Sequence, residues 1–234
     1  METRTKGVII ACDFPSKIET LQFLSAFPNQ DIFVKIGMEL FYGEGPSIID
    51  EIKSMGYRIF LDLKLHDTPN TVKKAMKNIA KLGVDMTTIH AAGSKQMMLA
   101  AKEGLLTSSW STLLLAVTVL TSLSEDILKQ ELLIQQSVEE VVIHYAKNAQ
   151  NSGADGVICS PLEAKMIKSA CGDDFVAVTP GIRYADANDD QNRVATPAMA
   201  KTLGSDFIVV GRPITAASDP VAAYNRILTD FLGR

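Results

Sequence analysis

The sequence predicts an α/β fold, a single-domain (β/α)8 TIM barrel over residues 1–234, and three observations predict it. Short apolar runs alternate eight times with longer segments of helical period. No shift in composition and no linker breaks that alternation. Polar residues gather at the carboxyl ends of the apolar runs, the end at which such a barrel opens to ligand. A doubly wound open sheet is the competing layout. It usually has fewer strands and often a glycine-rich first turn, where this chain has Cys12-Asp13-Phe14-Pro15. Neither GxGxxG nor GxxxxGK[ST] occurs.

The elements follow in order. A first strand at 7–13 precedes a helix at 16–27, and a second at 31–37 leads to a helix at 46–55 closed by Gly56. The third strand, 57–65, alternates strictly: Tyr57, Ile59, Leu61, Leu63 and Leu65 share one face, Arg58, Phe60, Asp62 and Lys64 the other. Its helix, 70–82, ends at Gly83, and Asn70-Thr71 offers a cap. The fourth unit pairs 85–91 with 94–106. The fifth strand, 112–120, is followed by a long connection at 121–136, with an extra helix within 124–133, and then by a helix at 137–151 that Gly153 closes. The sixth unit pairs 156–160 with 161–171, ending at Gly172. The seventh joins 175–180 to 196–203 through a long polar loop, 183–195, of the kind that clamps or covers a ligand. In the eighth, 206–211 precedes 219–232, where Asp219-Pro220 sets a cap followed by proline at the first helical position.

Composition removes several function classes. The 23 basic and 27 acidic residues leave a net charge of −4, with no electrostatic footprint for nucleic acid or an anionic membrane. The longest apolar run, 113–120, is too short to span a bilayer, and the first six residues lack the apolar segment of a signal peptide. Cys12, Cys159 and Cys171 have no metal-ligand spacing, and the first two sit in strand-like runs as small buried hydrophobes. The expectation is a reduced, cytoplasmic protein.

The chemistry concentrates in Asp62-Leu63-Lys64-Leu65-His66-Asp67. Charges spaced i, i+2 on one face of a buried strand are costly unless they pair with each other or with a ligand. Asp13 ends the first strand, Lys35 lies near the end of the second, His90 ends the fourth and Thr121 follows the fifth. Asp13, Lys35, Asp62, Lys64 and Asp67 therefore form an array of alternating charge, read either as a salt-bridge network closing the barrel top or as a reaction site. Two lysines crowd the carboxylates, which makes the array a poor metal site. Across the mouth, Gly181 and Arg183 follow the seventh strand, and Gly211 and Arg212 the eighth. Those two loops form the usual phosphate site of this fold. His66 reads as structural, His90 as barrel-lining or ligand-contacting, and Trp110 with Met97-Met98 as packing.

Over residues 7–232 the chain resembles the orotidine 5′-phosphate decarboxylase family, in its compact bacterial form. The segments that carry the resemblance are Ala11-Cys12-Asp13, Val34-Lys35-Ile36-Gly37, the ten residues Asp62-Leu63-Lys64-Leu65-His66-Asp67-Thr68-Pro69-Asn70-Thr71, Val119-Leu120-Thr121-Ser122, Thr179-Pro180-Gly181-Ile182-Arg183, Asp189-Asp190-Gln191 and Val210-Gly211-Arg212-Pro213-Ile214. The DxKxxD core alone is shared with metal-dependent sugar-phosphate decarboxylases and aldol enzymes of the same barrel group, which is the alternative reading. Those relatives place an acidic metal ligand where this chain has Lys35.

The resemblance implies decarboxylation of orotidine 5′-phosphate to UMP, the last step of de novo pyrimidine synthesis, with no cofactor and no metal. It implies Lys64 as the proton donor to C6, with Asp62 near the departing carboxylate and Lys35 completing the charged chain. Lys35 and Asp13 would hold the ribose, and Thr121 the pyrimidine. Gln191 would bridge base and phosphate, and Arg183, Gly211 and Arg212 would grip the phosphate. Asp67, with Thr68 and Thr71 nearby, would reach the site of a partner subunit, so that the working unit is a homodimer with shared sites.

Overall fold

The computed structural model describes residues 6–28, 31–184 and 194–233. Eight parallel strands close in sequence order: β1 (Gly7–Ala11), β2 (Phe33–Gly37), β3 (Arg58–Leu65), β4 (Met86–His90), β5 (Leu113–Val117), β6 (Gly156–Ile158), β7 (Val176–Thr179) and β8 (Phe207–Val210). β1 pairs with both β2 and β8, so the sheet has no open edge among the described residues. The main outer helices are α1 (Lys17–Leu24), α3 (Ser47–Ser54), α4 (Pro69–Leu82), α5 (Ser94–Leu105), α7 (Val138–Asn151), α8 (Ala164–Cys171), α9 (Pro197–Thr202) and α11 (Pro220–Leu232). The extra helix of the long fifth connection is α6 (Glu125–Gln130).

Two helices were not legible in the sequence. α2 (Met38–Glu44) follows β2 directly; Gly43 lies inside it and Gly45-Pro46 just after, so the segment reads as a loop. α10 (Arg212–Thr215) is a single turn after β8 with proline inside it, too short to show a period. The helix after β3 also starts earlier than expected. Thr68 is its N-cap residue and Pro69 its first residue, so Asn70 and Thr71 lie within the first turn and do not cap it. Trp110 is half-exposed, with the Lys53 ammonium 4.8 Å from its ring centroid, so it packs against a cation and not in the core; Met97 and Met98 are buried.

Strand alternation divides the apolar residues into two cores. Outward residues such as Ile10, Val34, Ile59, Leu61 and Ile208 pack under the helices. Inward residues, among them Ile9, Phe33, Phe60, Leu115, Val178 and Phe207, fill the barrel. Phe33 and Phe207 meet edge-on at 6.0 Å near the amino-terminal end, and the Arg58 guanidinium lies 4.8 Å over Phe33 while pairing with Asp31 at 3.1 Å. That end is plugged, so ligand access belongs to the other.

A Gly-x-Asp sequence recurs before three of the strands, at Gly83, Gly153 and Gly204. Each glycine turns the chain at positive φ. Each aspartate then accepts a backbone N–H from the preceding strand: Asp85 from Ile59, Asp155 from Leu114 and Asp206 from Ala177. Lys102 and Lys168 neutralise the last two carboxylates. These latches hold register at the amino-terminal rim, away from the mouth.

Helices α4 and α5 approach closely at Gly104. A Cβ at Gly104 of α5 would run into the Lys73 carbonyl and the Met76 side chain. No helix among the described residues is long and apolar enough to cross a membrane. We expect Gly104→Ala to destabilise the fold by about 1–3 kcal/mol through overpacking, although alanine is the better helix former. Urea unfolding measures this, and an unchanged midpoint would mean the two helices part at no cost.

Candidate active site

The inward residues turn from apolar to charged near the carboxyl ends of the strands. Lys35 lies above Phe33 on β2, and Asp62 above Phe60 on β3. Together with Lys64, Thr121 and Pro180 they line a cleft of about 240 Å³ floored by Phe60, Val117, Ile158 and Val209. A larger hollow of about 420 Å³ shares Thr121 with it but holds none of Asp13, Lys35, Asp62 and Lys64. The chemistry therefore belongs to the smaller cleft.

Two ion pairs organise the cleft. Lys35 Nζ lies 2.8 Å from Asp13 Oδ1, and Lys64 Nζ lies 2.7 Å from Asp62 Oδ2. They differ in exposure: the Asp13 side chain is 60% exposed and that of Asp62 9%. Water screens the first pair, whereas removing one member of the second would leave a buried charge unpaired.

Alternation places Lys64 on the face of Asp62, and both line the cleft, but the pairing of β3 is irregular there. The β3–β4 register runs Leu61 to Thr87 and then Leu65 to Ile89, so four residues of β3 advance while two of β4 do. A bulge of this kind disrupts the ladder locally and bends the strand. Within it Lys64 adopts φ of +50°, a left-handed conformation that is strained for a side chain of this size. Its N–H donates to Thr88 Oγ1 at 2.8 Å, and the Thr88 hydroxyl donates to Asp62 Oδ1 at 2.9 Å. Sequence reasoning missed Thr88. The signal was present, since Thr88 is two residues before His90 and in phase with it on β4.

His90 is half-buried, and its ring lies against that of exposed His66, centroids 5.4 Å apart and tilted by 33°. Burial lowers the His90 pKa below its ordinary 6.5; His66 and Lys64 act in the same direction and Asp62 opposes them.

Asp67, Thr68 and Thr71 do not join Lys64 in the cleft. All three are exposed around the start of α4. Asp67 Oδ1 accepts the Thr68 N–H at 2.6 Å, and the Thr68 and Thr71 hydroxyls lie 3.0 Å apart. The Thr68 N–H, then the Thr68 hydroxyl, hold the Asp67 carboxyl below the usual range.

Beyond β7, Gly181 takes φ of +77°, which reserves the position for glycine. Ile182 bridges to Ala195, and Arg183 N–H bonds to the Ala195 carbonyl at 3.0 Å, so both ends of the 183–195 loop are joined beside the mouth. Arg183 Nη1 donates to the Ile182 carbonyl at 2.8 Å. Gly211 precedes α10, and Arg212, its first residue, is exposed. Gln191 lies outside the described residues, as does most of the loop.

Cys12 and Cys159 are buried as expected, and burial pushes the Cys12 thiol up to about 12. Among the described residues no three His, Cys, Asp or Glu side chains form a metal-ligand cluster.

The comparisons agree on one family. The model of the orotidine 5′-phosphate decarboxylase / HUMPS family matches residues 6–227. The chain is 55% identical over 230 residues to the orotidine 5′-phosphate decarboxylase of Geobacillus thermodenitrificans, covering 96% of each. It is 53% identical over 234 residues to that of Bacillus cytotoxicus, covering 98% of each. The crystal structure of orotidine 5′-phosphate decarboxylase from Lactobacillus acidophilus superposes with a TM-score of 0.88 at 49% identity, covering 97% of this chain and 99% of that one.

The His90 environment predicts an acid-labile fold. The unfolded histidine takes up its proton first, so its contribution is complete above pH 6.5 and is lost as the pH falls from there toward the lower folded-state value. Urea midpoints should fall as the pH drops below 6.5, and less steeply in His90→Gln. Parallel slopes in the two proteins would remove His90 from the explanation.

Proposed function

The chain belongs to the orotidine 5′-phosphate decarboxylase / HUMPS family, and from that premise we propose how it works. It is a carboxy-lyase that converts orotidine 5′-phosphate to UMP and CO₂, the last step of UMP biosynthesis. The alternative metal-dependent reading is not favoured, since relatives 52–55% identical over nearly the whole chain carry the decarboxylase name.

The observation that carries the mechanism is the Lys64 ammonium, held by Asp62 in the cleft. When the C6–carboxylate bond breaks, the electron pair stays on C6 and no cofactor accepts it. A fixed cation stabilises charge of this kind without reorganising at the moment of reaction. Lys64 then delivers a proton to C6, giving UMP, and regains one from solvent. Asp62 stands beside the departing carboxylate. Lys35 and Asp13, already paired, hold the ribose hydroxyls, and Thr121 in the cleft wall contacts the pyrimidine.

Arg183, Gly211 and Arg212 grip the phosphate, supported by their place in the loops after β7 and β8. Residues 183–195, with Gln191, are the loop that covers it. Binding energy from that unreacting group orders the charged array. The bench test is decay of the orotate absorbance when the purified protein meets orotidine 5′-phosphate in excess EDTA. Turnover should persist in the wild type and vanish in Lys64→Ala while UMP still binds. A chelator-sensitive wild type would sink the metal-free mechanism.

The homodimer is a second part of the proposal. Asp67, Thr68 and Thr71 are exposed and do not line the cleft of their own chain, which fits residues that serve a partner's cleft. Asp67→Asn and Lys64→Ala should each be inactive alone. Refolding them together should restore activity, because one mixed site of the two then carries both wild-type groups. No recovery on mixing would place Asp67 in the service of its own chain.

A further inference from the structure

Thr88 is fully buried on β4, in phase with Met86 and His90, so its hydroxyl enters the barrel just beneath the mouth. A backbone N–H only donates and a carboxylate only accepts, so the direction of each hydrogen bond is fixed. The Lys64 N–H donates to Thr88 Oγ1, and the hydroxyl proton goes to Asp62 Oδ1. The Lys64 ammonium closes the ring on the other oxygen, Asp62 Oδ2.

The backbone supplies an independent observation. In the bulge between the Leu61 and Leu65 pairings, the Lys64 N–H is satisfied by the Thr88 side chain where a regular ladder would offer a carbonyl. Lys64 is there in the left-handed region, and the bond its N–H donates to Thr88 holds it. Threonine suits the task because its β-branch restricts χ1 and so fixes the hydroxyl. Valine has the same shape, but it would leave the Lys64 N–H and one Asp62 oxygen without this partner.

We infer that Thr88 is a positioning residue for the decarboxylation: its hydroxyl fixes both the Lys64 backbone and the Asp62 carboxylate, so that the ammonium is already in place when charge develops at C6. The inference rests on the proposed role of Lys64. Thr88 touches no reacting atom and acts through the pair.

Thr88→Val and Thr88→Ser test it. In the valine variant kcat should fall about 100-fold with KM within about threefold of wild type, the signature of misplacement and not of lost substrate binding. Affinity for UMP should hold, while affinity for a UMP analogue with an anionic oxygen at C6 should fall in step with kcat. Serine keeps the hydroxyl and should recover most of the loss. Thermal midpoints of both variants separate this from simple destabilisation, and Thr88→Ala replaces the valine variant if that one fails to fold.

Wild-type kcat in the valine variant overturns the inference, as does a loss confined to KM or shared by UMP affinity. A wild type that does not turn over orotidine 5′-phosphate defeats the functional reading instead. In that event a crystal structure of Thr88→Val still decides the point. The inference requires Lys64 to leave its positive φ or its ammonium to leave Asp62, and unchanged geometry overturns it.

Discussion

Closure of the sheet between β1 and β8 obliges every strand to send alternate side chains into an interior walled on all sides. Such a space holds apolar groups cheaply and charged groups only where they can be paired or reach water. Phe33, Phe60 and Phe207 fill the deeper interior, and the Asp31–Arg58 pair lies at its base. Charge is left for the open end, where Lys35, Asp62 and Lys64 line the cleft. The position of the site is thus a consequence of the closed barrel and not an addition to it.

Stability and chemistry are divided between the two ends. At the amino-terminal rim the Gly-x-Asp turns tie Asp85, Asp155 and Asp206 to neighbouring strands, fixing register with groups that face no ligand. At the mouth the sheet gives up regularity. The β3–β4 pairing slips, Lys64 takes a left-handed conformation, and a threonine hydroxyl replaces a rung of the ladder. Strain of this kind persists only where the surrounding structure holds it, and here the ring through Thr88 and Asp62 does so.

Much of this was legible in the chain itself. Two-residue alternation placed Lys35, Asp62 and Lys64 on the interior face of their strands, and glycine and Asp-Pro signals closed or opened helices where the structure has them. The reading failed where local signals were weak or conflicting. Gly43 and Gly45-Pro46 disguised α2, and one turn was too short to reveal α10. Thr88 escaped notice because a threonine inside an apolar strand looks like a β-former until its neighbours across the sheet are known.

The sequence by itself determined the eight βα units, the cores on either side of the sheet and the gathering of charge at one end. All of these follow from local periodicity, which neighbouring residues carry. Only the tertiary structure decided that Lys64 takes a left-handed backbone, that Thr88 ties it to Asp62, and that Asp67 does not line the cleft of its own chain. Those depend on the register between strands far apart in sequence and on a bulge that breaks the regular β3–β4 pairing, and no local pattern encodes either.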